Sequence, residues 1–298
     1  MPHTIQGFSR LTKDEKIAWL TSNFLSSNAN ATQILKQYWN DDQKLQQLHD
    51  EFIENTISNY YLPLGIAPNF IINNKSFAIP MAIEESSVVA AASKAAKFWM
   101  SRGGFKAEIL GTEKIGQVHF TFSGDSKKIS AFFEDHKAQI IEDLKPHTES
   151  MERRGGGLKS LELINKTNAL EHYYQLHATF ETLDAMGANF INTCLEQIAE
   201  SWQRLYNEKA SFKSADQELV VIMSILSNYV PGCVVHAEVS CPVSELSEAD
   251  GIDPQLFANK FVQAVRIAEV EPYRAVTHNK GIMNGIAAVV LATGNDFR

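Results

Sequence analysis

The chain has 298 residues, 44% of them hydrophobic and 21% charged, with a formal net charge of −8 at pH 7. This composition is that of a globular protein with a substantial core, and it excludes disordered and fibrous classes. The acidic balance argues against a nucleic-acid surface, and no signal-peptide core or membrane span is apparent, so we expect a cytoplasmic enzyme or binding protein that contacts neither nucleic acid nor membrane.

The first hundred residues predict helices, then a hairpin, then another helix. Apolar residues recur near a period of 3.6 within 10–56, which is typical of helices. The pair Asn73-Asn74 between FII and SFAI predicts a hairpin turn. A strand at 77–83 is expected to run into a small-residue helix at 88–101.

Residues 105–215 form a pattern of their own. It predicts strand–turn–strand at 105–124, a helix at 126–144, two antiparallel strands within 158–182 and a helix from about 184. The order β-α-β-β-α resembles the split βαβ unit of ferredoxin-like domains. After this insertion we predict a helix at 216–230, a strand at 233–241, a helix at 254–270 and an apolar segment with glycines. The predicted fold is therefore α+β, a large mixed helical and sheet domain with a small ferredoxin-like domain inserted.

Two adjacent carboxylates, Glu84 and Glu85, lie in the otherwise apolar and small-residue stretch IPMAIEESSVVAAAS. A buried, unpaired carboxylate is costly, so such groups pair, take up a proton or lie at a working site. Ser86 and Ser87 stand where a helix N-cap belongs, and acidic side chains also complement the positive end of a helix. The residues alone leave both interpretations open.

The stretch DAMGAN, residues 184–189, follows a predicted strand and opens a helix. Its glycine and small neighbours would let a ligand approach the backbone, and a helix N-terminus suits a diphosphate. The pattern is not GxGxxG, so a conventional Rossmann site is not predicted. A capped and tightly packed helix start is the alternative.

Near the end of the chain, EPYRAVTHNKGIMNG places Arg274, Lys280 and Asn284 on a segment with turn character that enters an apolar helix. A lysine beside such a helix start can bind an anion or stabilise an oxyanion, and a solvated basic turn is the alternative. Asp296 closes an apolar run sixteen residues after Lys280, either as a helix cap or as the partner of the lysine. The histidines and the three cysteines lack metal-ligand spacing, so we predict no metal site.

Together these stretches resemble the class II, bacterial-type 3-hydroxy-3-methylglutaryl-CoA reductases. The motifs follow the order of that family: ENTIS with YYLPLGIAPNF, IPMAIEESSVVAAAS, DAMGAN, THNKGIMNG and ATGND. The resemblance spans residues 8–298 and implies a large substrate domain at 1–108 and 218–298. It implies a small nicotinamide-cofactor domain at 109–217.

The resemblance also implies roles for single residues. The catalytic residues would be Glu85, Lys280 and Asp296, while Glu84 keeps a structural role. The substrate-binding residues would be Ser87, Arg274, Asn284, Glu54 and Asn55. The cofactor-binding residues would be Asp184, Met186, Gly187 and Asn189.

The implied chemistry is the double reduction of 3-hydroxy-3-methylglutaryl-CoA to mevalonate and coenzyme A. Lys280 would stabilise the negative charge on the carbonyl oxygen, a contribution of about 3 kcal/mol for one donor. Glu85, kept protonated in an apolar pocket, would supply a proton. Asp296 would orient Lys280.

The cofactor would be NADP or NAD. Selection depends on the group that meets the ribose 2′ position, and the basic residues Lys145, His147, Arg153 and Arg154 favour NADP slightly. The resemblance further implies a homodimer or higher homo-oligomer with an active site shared between subunits.

The sequence departs from the family pattern in one respect. Family members continue beyond the aspartate to a flap whose histidine protonates the departing thiolate, and no histidine follows Lys280 here. The expected function is the reductase, and the alternative is a non-catalytic CoA- or nucleotide-binding fragment of such an enzyme.

Overall fold

The computed structural model describes residues 3–211, 218–246 and 252–297. The helices described are α1 (Lys13–Phe24), α2 (Ala31–Gln37), α3 (Gln43–Asp50), α4 (Ser86–Met100), α5 (Ser126–Glu152), α6 (Ala188–Lys209), α7 (Pro254–Val270) and α8 (Pro272–Ala292). The strands described are β1 (Leu64–Ile72), β2 (Lys75–Ala82), β3 (Lys106–Phe122), β4 (Gly157–Asn165), β5 (Tyr173–Glu181), β6 (Leu219–Ser227) and β7 (Cys233–Glu238). The fold is α+β, as predicted.

The chain divides into two compact units. The first unit comprises Met1–Asn69, Ala78–Ala96 and Lys260–Arg298, and the second comprises Phe70–Phe77 and Lys97–Asn259. Within the described ranges, no helix combines the length and the apolar character needed to cross a bilayer.

The predicted helices within 10–56 are confirmed as α1, α2 and α3. α1 begins with a capping box, in which Thr12 Oγ1 accepts from Glu15 N while the Glu15 carboxylate accepts from Thr12 N. The predicted hairpin is confirmed as β1 and β2. Asn73 and Asn74 have φ values of 50° and 66°, as a two-residue hairpin turn requires.

The second unit contains an antiparallel sheet in the order β4-β5-β3-β6, with β7 paired to the first half of β3. The element order from β3 to β6 is β-α-β-β-α-β, which is the full ferredoxin-like pattern. β6 is the fourth strand of this sheet and lies beyond the predicted boundary at residue 217.

Two predictions for this unit were wrong. Within 105–124, one continuous strand, β3 (Lys106–Phe122), replaces the predicted strand–turn–strand. The helix predicted at 216–230 is largely the strand β6, in which the β-branched Val220 and Val221 pair with Thr121 and Phe120 of β3. Residues 216 and 217 of that predicted helix lie outside the described residues.

The main core of the second unit lies between the sheet and the helices α5 and α6. Its largest fully buried side chains include Phe120, Phe133, Tyr174, Trp202 and Tyr206. At the edge of this core, Asp143 of α5 accepts from Arg204 Nη2 of α6 at 2.6 Å and from Ser201 Oγ at 2.8 Å. Both helices are thus held on one face of the sheet.

Candidate active site

The glutamate pair of the first unit lies between β2 and α4, as predicted. Glu84, Glu85, Ser86 and Ser87 are all exposed. The Ser87 hydroxyl donates to Oε1 of Glu85, and among the described residues this is the only hydrogen bond of that carboxylate. The described residues therefore do not enclose Glu85 in the apolar pocket that was expected.

The segment that carries Lys280 is helical throughout, so the turn character predicted for 271–285 was wrong. α8 begins at Pro272, and the Glu271 carboxylate accepts from Arg274 N at 2.6 Å as a cap. Proline at the start of a helix is favourable because no backbone donor is lost there. Lys280 lies well inside α8 and is exposed, not beside its start.

Two of the predicted polar residues of α8 share a face. Lys280 and Asn284 are four residues apart, so their side chains are neighbours on the helix surface. Arg274 precedes Lys280 by six residues, which turns it about 120° away. α8 therefore presents Lys280 and Asn284 together, and Arg274 separately.

Lys280 and Asp296 are not brought together within one chain. From Lys280 to Ala292, the end of α8, the helix rises about 18 Å. Gly294, with φ of 71°, and a bond from Asn295 N to Val290 O at 3.0 Å close the helix end. Asp296 follows directly and is exposed.

Glu54 and Asn55 lie in an exposed turn after α3. Asn55 has φ of 60°, a left-handed conformation that asparagine tolerates. The turn is held by the Thr56 hydroxyl, which donates to Asp50 O at 3.1 Å and to Ile53 O at 2.9 Å.

The predicted cofactor residues lie in the second unit. Asp184, Met186 and Gly187 are on the loop between β5 and α6, and Asn189 is in the first turn of α6. Asp184, Met186 and Asn189 are exposed, and Gly187 is the N-cap of the 22-residue α6. Gly187 has φ of 79° and makes no side-chain cap, so backbone N–H groups of the first helical turn stay available to a ligand.

Two residues that sequence reasoning missed hold this loop. Leu183 has φ of 55°, which is unusual for a branched side chain, and its N–H donates to Oε1 of Glu181 at 2.7 Å. Thr182 Oγ1 donates to Ala185 O at 2.7 Å. No pattern in the sequence marks these contacts, because they join backbone groups to side chains through the folded turn.

The Glu181 carboxylate also receives the Thr112 hydroxyl from β3, at 2.5 Å. This hydroxyl, more than any other neighbour, holds the pKa of Glu181 below its usual value, against the opposing effect of burial. The pKa of Glu181 is lowered further by the Leu183 N–H, Lys159 and Lys114. Glu181 is therefore a charged anchor at the base of the loop.

The four basic residues that favoured NADP lie on the last turns of α5 or just after them. Lys145 pairs with Glu142 at 2.6 Å, which raises the pKa of the lysine, and His147 contacts Gln197 at 3.2 Å. Arg153 and Arg154 donate to backbone carbonyl groups of the same helix.

Comparison with known proteins gives a consistent result. Residues 13–298 match the family model described as hydroxymethylglutaryl-coenzyme A reductase. The 3-hydroxy-3-methylglutaryl-coenzyme A reductase of Archaeoglobus fulgidus is 34% identical over all of this chain and 63% of its own length. A probable reductase of the same name from Borreliella burgdorferi is 34% identical over 84% of this chain and 55% of its own length. The chain therefore spans less than two thirds of the length of either relative.

Solved structures agree with the family model. The class II 3-hydroxy-3-methylglutaryl-CoA reductase from Streptococcus pneumoniae, bound to NADPH in open conformations, matches with a TM-score of 0.74 and 31% identity. The match covers 99% of this chain and 75% of that one. The chain belongs to the hydroxymethylglutaryl-coenzyme A reductase family and has the fold of its class II members.

Proposed function

We propose that the protein reduces 3-hydroxy-3-methylglutaryl-CoA to mevalonate and coenzyme A with two NAD(P)H, in the cytoplasm. The observation that carries the proposal is the exposed set Glu85, Lys280 and Asp296, which lies in one unit of a chain matching the family model over residues 13–298. A cation and two carboxylates are the groups that a thioester reduction needs for charge stabilisation and proton supply.

The second unit fits the proposed cofactor. The N-terminus of α6 has no side-chain cap, and the nearby Ala185 and Ala188 are small, so a diphosphate can approach the backbone. Asp184, Met186 and Asn189 would border it. A bound, reduced nicotinamide supplies hydride. The basic residues at the end of α5 support NADP over NAD.

In the first unit, Lys280 would hold the negative charge that develops on the carbonyl oxygen of the substrate. Glu85 would give the proton, with its carboxyl group oriented by the Ser87 hydroxyl. The substrate would be contacted by Ser87, Asn284, Arg274, Glu54 and Asn55.

The position of Asp296 supports a shared site. Within one chain, Lys280 is about 18 Å from the end of α8, which Asp296 follows. One active site that contains both Lys280 and Asp296 would therefore take the two residues from two copies of the chain. The exposed apolar side chains of the first unit support a homodimer or higher homo-oligomer, since large apolar patches mark interaction surfaces. They include Leu64, Ile66, Phe261, Val262, Val265, Ile282, Met283 and Ile286.

The test is to supply the purified protein with 3-hydroxy-3-methylglutaryl-CoA and NADPH, and to follow NADPH oxidation together with release of the coenzyme A thiol. We expect both, with higher kcat/KM for NADPH than for NADH. Binding of coenzyme A and NADPH without oxidation would instead support the non-catalytic alternative.

A further inference from the structure

Lys114 and Cys233 meet in the second unit, and neither is among the residues with proposed catalytic, substrate-binding or cofactor-binding roles. Nζ of Lys114 donates to Sγ of Cys233 at 2.7 Å, a short contact for a nitrogen and a sulfur. Both side chains are half-buried, so a small solute can reach them. An amine and a thiol, both nucleophiles, are thus in direct contact.

The backbone holds the two residues in this position. Lys114 lies on β3, and Cys233 is the first residue of β7, directly opposite Thr112 of β3. The Cys233 N–H donates to Val230 O at 2.9 Å and closes the turn before β7. The contact therefore joins two paired strands and does not depend on a mobile side chain alone.

Cys233 has no thiol partner among the described residues, where all three cysteines are free. Cys194 lies in the core, and burial raises the pKa of its thiol to about 12. When a thiol oxidised to sulfenic acid has no second thiol beside it, a neighbouring nitrogen can condense with it instead. For Cys233 that nitrogen is Nζ of Lys114.

We propose that Lys114 and Cys233 form an oxidative modification site, at which a hydroperoxide joins Nζ and Sγ covalently. The Cys233 thiolate attacks the peroxide, so an S–O bond forms, the O–O bond breaks and, with hydrogen peroxide, the second oxygen leaves as water after protonation. The neutral amine of Lys114 then attacks the sulfur: an N–S bond forms, the S–O bond breaks, and hydroxide leaves with the proton of the amine as water.

The atoms and electrons of this reaction balance. One thiol, one amine and one hydrogen peroxide give a sulfenamide and two waters; the sulfur is oxidised by two electrons and the peroxide is reduced by two. A thiol reductant reverses the link by attacking the sulfur and releasing the amine. Because the link joins residues 119 positions apart, it restrains the unfolded chain and raises Tm.

The test treats the whole reduced protein with hydrogen peroxide and analyses its peptides by mass spectrometry. We expect a linked peptide pair containing Lys114 and Cys233, lighter than the sum of its parts by two hydrogens and absent after reduction with dithiothreitol. Tm should rise on oxidation and return on reduction.

Matched variants separate the link from other oxidation. Lys114→Arg keeps the charge but removes the primary amine, and Cys233→Ser removes the thiol, so neither should form the link. Cys241→Ser removes another half-buried thiol and should leave the link unchanged. Oxidation of Cys233 to sulfinic acid with Lys114 unmodified in the unsubstituted protein would overturn the proposal, as would the same linked pair in Lys114→Arg.

Discussion

Gly187 and Thr182 are in close contact at the start of α6: a Cβ atom added to Gly187 would lie 2.5 Å from Cγ2 of Thr182. The glycine also has φ of 79°, which side chains rarely adopt. Both features fix the backbone conformation of the loop at 184–189, which carries the proposed cofactor-binding residues. They also mean that any substitution of Gly187 acts on the loop and on stability together.

We expect Gly187→Ala to lower the free energy of unfolding by at least about 1 kcal/mol and to weaken NADPH binding. Urea unfolding and a direct NADPH titration measure the two effects. Thr182→Ser keeps the hydroxyl that donates to Ala185 O and removes the methyl group that the new Cβ would meet. The double variant Gly187→Ala with Thr182→Ser should therefore recover part of the lost stability and part of the lost NADPH affinity. Unchanged NADPH affinity in a destabilised Gly187→Ala would place the cofactor elsewhere.

The second prediction separates the two neighbouring glutamates. Glu85→Gln cannot give a proton, so kcat should fall by about 100-fold or more while the Kd for 3-hydroxy-3-methylglutaryl-CoA stays nearly constant. Glu84→Gln is the matched control and should change kcat only slightly. Steady-state kinetics and calorimetric binding check this, and equal losses in the two variants would show that the assignment to Glu85 is wrong.

The third prediction tests whether Lys280 and Asp296 of one site come from two copies of the chain. Lys280→Met and Asp296→Asn should each lose most of kcat. When the two inactive variants are mixed and allowed to exchange subunits, half of the dimers are mixed, and each has one intact site. Activity should therefore return to about a quarter of the original. No recovery in dimers shown to have exchanged would mean that both residues act from the same subunit.

The fourth prediction concerns pH. Burial lowers the pKa of His119, whose Nδ1 lies 2.7 Å from the Tyr173 hydroxyl. The unfolded chain therefore binds this proton at higher pH than the folded protein. The contribution of His119 to the free energy of unfolding is accordingly most favourable above about pH 6.5 and becomes less favourable as the pH drops below it. Urea unfolding at about pH 5.5 and about pH 7.5 measures the change. His119→Gln should reduce this difference; an identical difference in the variant would rule His119 out as its source.

The last prediction concerns the thiols. Because burial raises the pKa of Cys194 to about 12, this thiol should stay unmodified by iodoacetamide in the folded protein. The half-buried Cys233 and Cys241 should react. Mass spectrometry after labelling with and without urea gives the labelled fraction of each cysteine. Labelling of Cys194 at the rate of Cys241 without urea would mean that the core of the second unit opens readily.

Much of the local structure follows from the sequence alone. The capping box at Thr12 and Glu15, the Asn73-Asn74 turn and the period of α7 are signals carried by neighbouring residues, so they are readable without the fold. The long family motifs likewise indicate Glu85, Lys280 and the segment 184–189 as candidate site residues.

Tertiary structure decided the rest. The apolar run at 219–227 fits the period of a helix as well as that of a strand, and the sequence alone therefore predicts a helix. These residues form a strand because β3 offers an open edge for pairing. The bond from Glu181 to Leu183 N, the contact of Gly187 with Thr182 and that of Lys114 with Cys233 join groups whose spacing in sequence says nothing about their distance. The separation of Lys280 from Asp296 is likewise decided by the length of a rigid helix, since sixteen residues would allow a contact in a loop and do not allow one along α8.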